Sequence, residues 1–117
     1  MSEKNKAIIE KINEAFAGGN IDFFSAYITE ETQWNVIGIS TLIGKKKIMG
    51  ALQSKELESP PVVTVRNVVA EGDSVIVQST GNAVRKTGES YQASYCDVYR
   101  LKNGKIKEFT TYVIETT

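Results

Sequence analysis

The sequence predicts an α+β protein, on three observations. Apolar residues recur at helical spacing through the first half, the pattern turns β-branched and alternating after Val62, and turn residues separate the later stretches at short intervals. Helices first and strands after argue for a meandering antiparallel sheet with helices on one face. The 117 residues suit one domain, read as 1–117. At that length a core holds a fold without disulfides, and the single Cys96 has no partner with which to form one.

Ile8, Ile9, Ile12, Ala15 and Phe16 define an amphipathic helix from about Lys4 to Ala17, stopped by Gly18-Gly19. Asn20 is a cap for a second helix carrying Phe23, Phe24, Tyr27 and Ile28. Trp34 to Ile37 reads as a brief strand that Gly38 ends, with a loop after it. After Gly44, residues Lys45 to Ser54 place Ile48, Ala51 and Leu52 on one side of a third helix, closed by Ser59-Pro60-Pro61. Val62 to Ala70, Ser74 to Arg85, Tyr91 to Leu101 and Ile106 to Ile114 then read as strands. The turns between them are Glu71-Gly72-Asp73, Lys86-Thr87-Gly88-Glu89 and Asn103-Gly104, the last being the strongest hairpin signal.

Fourteen basic and fourteen acidic residues cancel, so no global field favours nucleic acid or an anionic membrane. No stretch approaches a membrane span and the start lacks an apolar leader, which makes a cytoplasmic protein the expectation. Histidine is absent, which removes Ser-His and Cys-His nucleophile pairs and His-containing metal sites. Asp, Glu, Lys, Tyr and Cys remain as proton carriers, and no metal or cofactor is called for. Gly38 to Gly44 followed by lysines is not a phosphate loop, because five residues separate the glycines and no Ser or Thr follows the lysine. Lys45-Lys46-Lys47 reads as a solvated run, since positive charge opposes the dipole in the first turn of a helix.

Three stretches resemble the SnoaL-like branch of the nuclear transport factor two superfamily, which also holds ketosteroid isomerases, polyketide cyclases and limonene epoxide hydrolases. They are Ala17 to Asp22, then Trp34 to Gly38 with Leu42 to Ile48, and then Tyr91 through Tyr95 to Ile106, ending in Tyr112. The resemblance implies a cystatin-like cone, with three N-terminal helices packed on a strongly curved, mostly antiparallel sheet around one apolar pocket. It also implies a homodimer through the outer sheet face. Such a scaffold does not fix function, so the site residues must.

Strand alternation puts Tyr91, Ala93, Tyr95, Asp97 and Tyr99 on one face and Cys96 on the other, where it reads as a small buried apolar residue. In the isomerase branch the acid matching Asp97 faces the pocket and is held neutral, donating a hydrogen bond to a developing oxyanion. Asp97, assisted by Tyr95, is accordingly the candidate catalytic pair. A structural reading stands beside it, in which Asp97 is bonded to tyrosine hydroxyls or paired with a surface base.

The isomerase base falls on Val36, or on Asn35 with the loop shifted by one, and its helix-one tyrosine falls on Ile12; none of these does the family's chemistry. The epoxide-hydrolase acids and arginine are missing from Ser74 to Val84. A cyclase-type base on the last strand's inner face would be Glu115, past Phe109, Thr111 and Val113.

Phe16, Phe24, Tyr27, Trp34, Val36, Met49, Leu52, Tyr99, Phe109, Thr111 and Val113 are the expected pocket lining, with core and lining roles overlapping for the aromatics. The functional expectation is a protein that binds a small apolar or aromatic molecule. Its enzymatic form is a cofactor-independent isomerase, cyclase or dehydratase with Asp97 as acid or oxyanion donor. The alternative is a non-catalytic association module whose cone is filled by Trp34, Phe24, Tyr27 and Phe109.

Overall fold

The structure is a computed structural model that describes residues 2–52 and 62–116. Helix α1 spans Ser2–Ala17 and buries Asn5, Ile9 and Ile12, one face of the predicted periodicity. Its end is tied off by Asn20 N–H donating to the Ala15 carbonyl at 2.8 Å, around Gly19 at φ 82°. Helix α2, Asp22–Ser25, is only one turn long, so Tyr27 and Ile28 lie beyond it. Asn20 still acts near its start, its Oδ1 accepting from Phe23 N–H at 3.3 Å.

Strand β1, Gln33–Val36, is followed by β2, Ser40–Ile43, where the sequence suggested a loop. The two form an antiparallel hairpin around Gly38 at φ 80°. Four residues of exposed or half-exposed Ser-Thr-Leu-Ile carry too little alternation to announce a strand. Helix α3, Lys45–Leu52, buries Ile48; the expected end of this helix near Ser54 and the Ser59-Pro60-Pro61 closure lie outside the described residues.

Strands β3 (Val62–Glu71), β4 (Ser74–Val84), β5 (Ser90–Lys102) and β6 (Lys105–Glu115) form the expected antiparallel meander. Asn103 and Gly104, at φ 53° and 77°, make the two-residue turn between β5 and β6. The six strands run in the order β2-β1-β6-β5-β4-β3, and β1 joins β6 in parallel, the one parallel pairing among the described residues. Bulges between Val65 and Asn67 and between Arg100 and Leu101 add local bend to the sheet. Helices on one face of a curved, mostly antiparallel sheet are the α+β architecture expected.

The core lies between the helices and the sheet: Ile9, Ile12, Phe24, Ile28 and Ile48 meet Val75, Val77, Tyr99, Leu101, Ile106 and Phe109. Phe16, Met49 and Leu52 pack half-buried against it. The segment between α2 and β1 is pinned to the β5–β6 turn. Ile106 N–H donates to the Tyr27 carbonyl at 2.7 Å, and the fully buried Thr32 hydroxyl donates to the Ile106 carbonyl at 2.7 Å. These bonds satisfy polar groups that burial would otherwise penalise.

Candidate functional site

Because side chains alternate along a strand, the register sorts the concave face into rungs that cross the sheet. The deepest aligns Ala70, Val75, Tyr99, Phe109, Trp34 and Leu42. Here Phe109 lies between Trp34 and Tyr99, with ring centroids 5.2 and 5.4 Å away and interplanar angles of 13° and 12°. Phe24 closes on Phe109 edge-on at 5.4 Å, and Phe16 backs Phe24. Phe16, Phe24, Trp34, Tyr99 and Phe109, five of the aromatics expected in the pocket, therefore pack together as the floor of the concave face.

The next rung aligns Val68, Val77, Asp97, Thr111 and Val36. Beyond it come Val65, Ser79, Tyr95 and Val113, and then Val63, Gly81, Ala93 and Glu115. The flanks of these outer rungs are open, since Val63, Val65 and Val113 are 42%, 42% and 43% exposed although they face the concave side. Their centre is made of small residues under the Tyr95 ring. A Cβ placed on Gly81 would meet Tyr95 Cε2 at 2.9 Å. Asp97 thus stands at the boundary between the packed aromatic floor and the open half of the concave face.

Asp97 is held by one chain of hydrogen bonds. Trp34 Nε1–H donates to Thr111 Oγ1 at 2.9 Å, and Thr111 Oγ1–H donates to Asp97 Oδ1 at 2.6 Å. An indole N–H only donates, so it occupies a lone pair of the threonine oxygen and leaves the hydroxyl proton for the carboxyl. Burial raises the Asp97 pKa from 3.8 to about 6, and the Thr111 bond pulls the other way. The carboxyl therefore exchanges its proton close to neutrality. Tyr99 is pushed well up by burial and by the Asp97 charge, and Tyr95 is raised by burial and by Tyr91. Both stay protonated at pH 7.

At the rim, Arg85 lies 4.2 Å above the Tyr91 ring and is engaged by two carboxylates, Glu89 at 2.9 Å and Glu115 at 2.8 Å. Among the described residues no ion pair reaches Asp97 and no His, Cys, Asp or Glu cluster suits a metal ion.

The register brings Asp97, Tyr95, Tyr99, Trp34, Val36, Phe109, Thr111 and Val113 onto one concave face. Tyr27 is elsewhere, with its backbone bonded to Ile106 at the far end of β6 and its ring against Phe23. Val36 shares the rung of Asp97, while Asn35 turns to the outer face and donates to Thr110 Oγ1. Cys96 lies on the outer face as expected but is half-buried, because its neighbours across the register are Gln78 and Tyr112 rather than the core. Sequence reasoning placed Thr111 among lining residues without its bonding role, and did not single out the Arg85 cluster. The parity of Thr111 was legible, but its two partners sit on other strands.

The fold and this face define the class: a curved-sheet α+β protein with an acid at the edge of an aromatic-floored concave surface. The SnoaL-like domain family matches residues 9–109, and the chain belongs to it. Solved structures agree in fold. A candidate SnoaL-like polyketide cyclase from Jannaschia has a TM-score of 0.85 at 17% identity, covering 97% of this chain and 87% of that one. A candidate ketosteroid isomerase from Kribbella flavida gives 0.80 at 17% identity over 99% of this chain and 82% of the other. An LEH-like epoxide hydrolase from M. tuberculosis gives 0.82 at 17% identity over 97% and 84%. No curated protein matches the chain.

Proposed function

We propose that the open half of the concave face binds a compact apolar or aromatic molecule whose polar group meets Asp97. The observation that carries this reading is the half-buried carboxyl fixed by Thr111 and Trp34 beside exposed inward-facing valines. In its protonated form the same carboxyl is suited to act as acid or oxyanion donor in a cofactor-independent isomerase, cyclase or dehydratase, and the structural neighbours include a candidate isomerase and a candidate cyclase. The residues in its own rung supply no base, since Val36, Val77 and Thr111 accept no proton at neutral pH. Binding is therefore the primary reading and catalysis the secondary one.

The test uses the single tryptophan. Titrating phenol and tetralone while following Trp34 fluorescence should give a saturable change that weakens in Asp97→Ala. No saturable change from either ligand would overturn the reading and favour an association module. A paired assembly is proposed alongside it, through the outer sheet face, where Val69, Ile76, Tyr112 and Ile114 are exposed. Sedimentation equilibrium showing a monomer at micromolar concentration would remove the pairing.

A further inference from the structure

We propose that the ligand of this concave face is a compact apolar amine, bound as its ammonium ion with Asp97 as counter-ion and the neighbouring rings as its apolar wall. The inference rests on the concave face being a binding site and adds the ligand's charge.

Four observations support it. Among the described residues Asp97 is a carboxylate without a cationic partner: their ion pairs join Arg85 to Glu89 and Glu115, and Arg100 to Glu108. Its one bonded oxygen, Oδ1, is occupied by Thr111, whose donor direction the Trp34 indole enforces. Aromatic side chains stand around it, Tyr95 and Tyr99 two residues to either side on the same face of β5 and Trp34 across Thr111. Ring faces attract cations, and a desolvated carboxylate beside them strengthens that attraction. At the rim, one arginine faces two carboxylates, so this cluster also carries a net negative charge.

An anionic ligand meets the reverse field and finds no cation paired with Asp97 among the described residues. The strands on either side of the carboxyl present few titratable groups to it. On β5 they are Tyr95 and Tyr99, both protonated at neutral pH; β4 presents Val77 and Ser79, β6 presents Thr111 and Val113, and β1 presents Val36 and Trp34. Among these strand neighbours the carboxyl is the group that changes its ionisation between pH 5 and 8. A counter-ion acts in the ionised form, whereas an acid or oxyanion donor acts in the protonated form, so the two roles differ in the sign of their pH dependence.

The experiment is isothermal titration calorimetry of the full chain with benzyltrimethylammonium, benzoate and the neutral phenol at pH 5 and pH 8. Asp97→Asn is run in parallel and its fold checked by far-UV circular dichroism. The expected result is saturable binding of benzyltrimethylammonium at pH 8 that is about tenfold weaker at pH 5, following the ionised fraction of a group titrating at about 6. Asp97→Asn should lose at least about tenfold in affinity at pH 8 and lose the pH dependence. Benzoate should not bind. Binding of phenol without binding of benzyltrimethylammonium would overturn the amine assignment and leave the binding site standing. Equal affinity of the ammonium for wild type and Asp97→Asn would also overturn it. If neither phenol nor the ammonium binds, the site and the assignment fall together.

Discussion

Replacing Asp97 with asparagine should stabilise the protein, and should do so only above the pH at which the carboxyl ionises. The folded pKa of about 6 lies above the unfolded value of 3.8, so folding favours the protonated form. Below the unfolded value both states are protonated and the acid costs nothing. Between the two values the folded state binds more protons, so stability falls as pH rises, and above the folded value the whole cost is present. The values lie about 2.2 apart, and at about 1.36 kcal/mol per pH unit the cost at pH 8 is about 3 kcal/mol.

The Thr111 bond to the ionised carboxyl is already contained in the folded value, and the amide oxygen of the variant accepts from Thr111 as the protonated acid does. The net gain for Asp97→Asn is then about 3 kcal/mol at pH 8 and near zero below pH 4. Urea denaturation of both proteins across this range isolates the effect, because the remaining acids are common to both and cancel in the difference. The thermal midpoint at pH 8 should rise by about 10 to 15 °C. A stability difference that does not change with pH, or a variant less stable at pH 8, would refute the argument that burial without a cation sets the state of this carboxyl.

Thr111→Val should leave the Trp34 indole N–H without its acceptor and remove the bond that holds the Asp97 pKa down. The midpoint of a Trp34 fluorescence titration should therefore move above the wild-type value, with a stability loss of about 1–3 kcal/mol. Phe109→Ala removes the ring between Trp34 and Tyr99 and the surface on which Phe24 rests. Urea denaturation should show a loss of about 3–5 kcal/mol. Gly81→Ala puts a methyl 2.9 Å from Tyr95 Cε2 and 3.1 Å from the Val62 carbonyl oxygen. It should cost about 1–3 kcal/mol and displace the Tyr95 ring, read as a change in near-UV circular dichroism.

Much of this was legible in the chain. Ile9 and Ile12 at helical spacing give a buried stripe wherever the helix docks, and Asn103-Gly104 dictates a tight turn whatever lies beyond it. The second helix shows where local pattern misleads. Phe24 and Ile28 are both buried, as a helix face would make them, yet the helix stops at Ser25 because the following segment is drawn to the β5–β6 turn by bonds to Lys105 and Ile106. The short strand β2 was missed because a hairpin of four residues a side is held by its pairing with β1 rather than by its own composition.

What the sequence by itself determined is whatever depends on neighbours along the chain. That includes the order of helices and strands, the two-residue turn, the lack of histidine chemistry, and the parity that sets Asp97 on the tyrosine face of its strand. The tertiary structure alone decided that β1 enters beside β6 in parallel, which sets Trp34 against Phe109 and Val36 against Thr111. It also decided that Trp34, 77 residues away from Thr111, donates to the hydroxyl that holds Asp97. Side-chain alternation follows from the backbone of a single strand, whereas register between distant strands follows from the summed packing of everything they bury together. The ionisation of one carboxyl depends on that packing, because water is removed from it only when the sheet and the helices close around it.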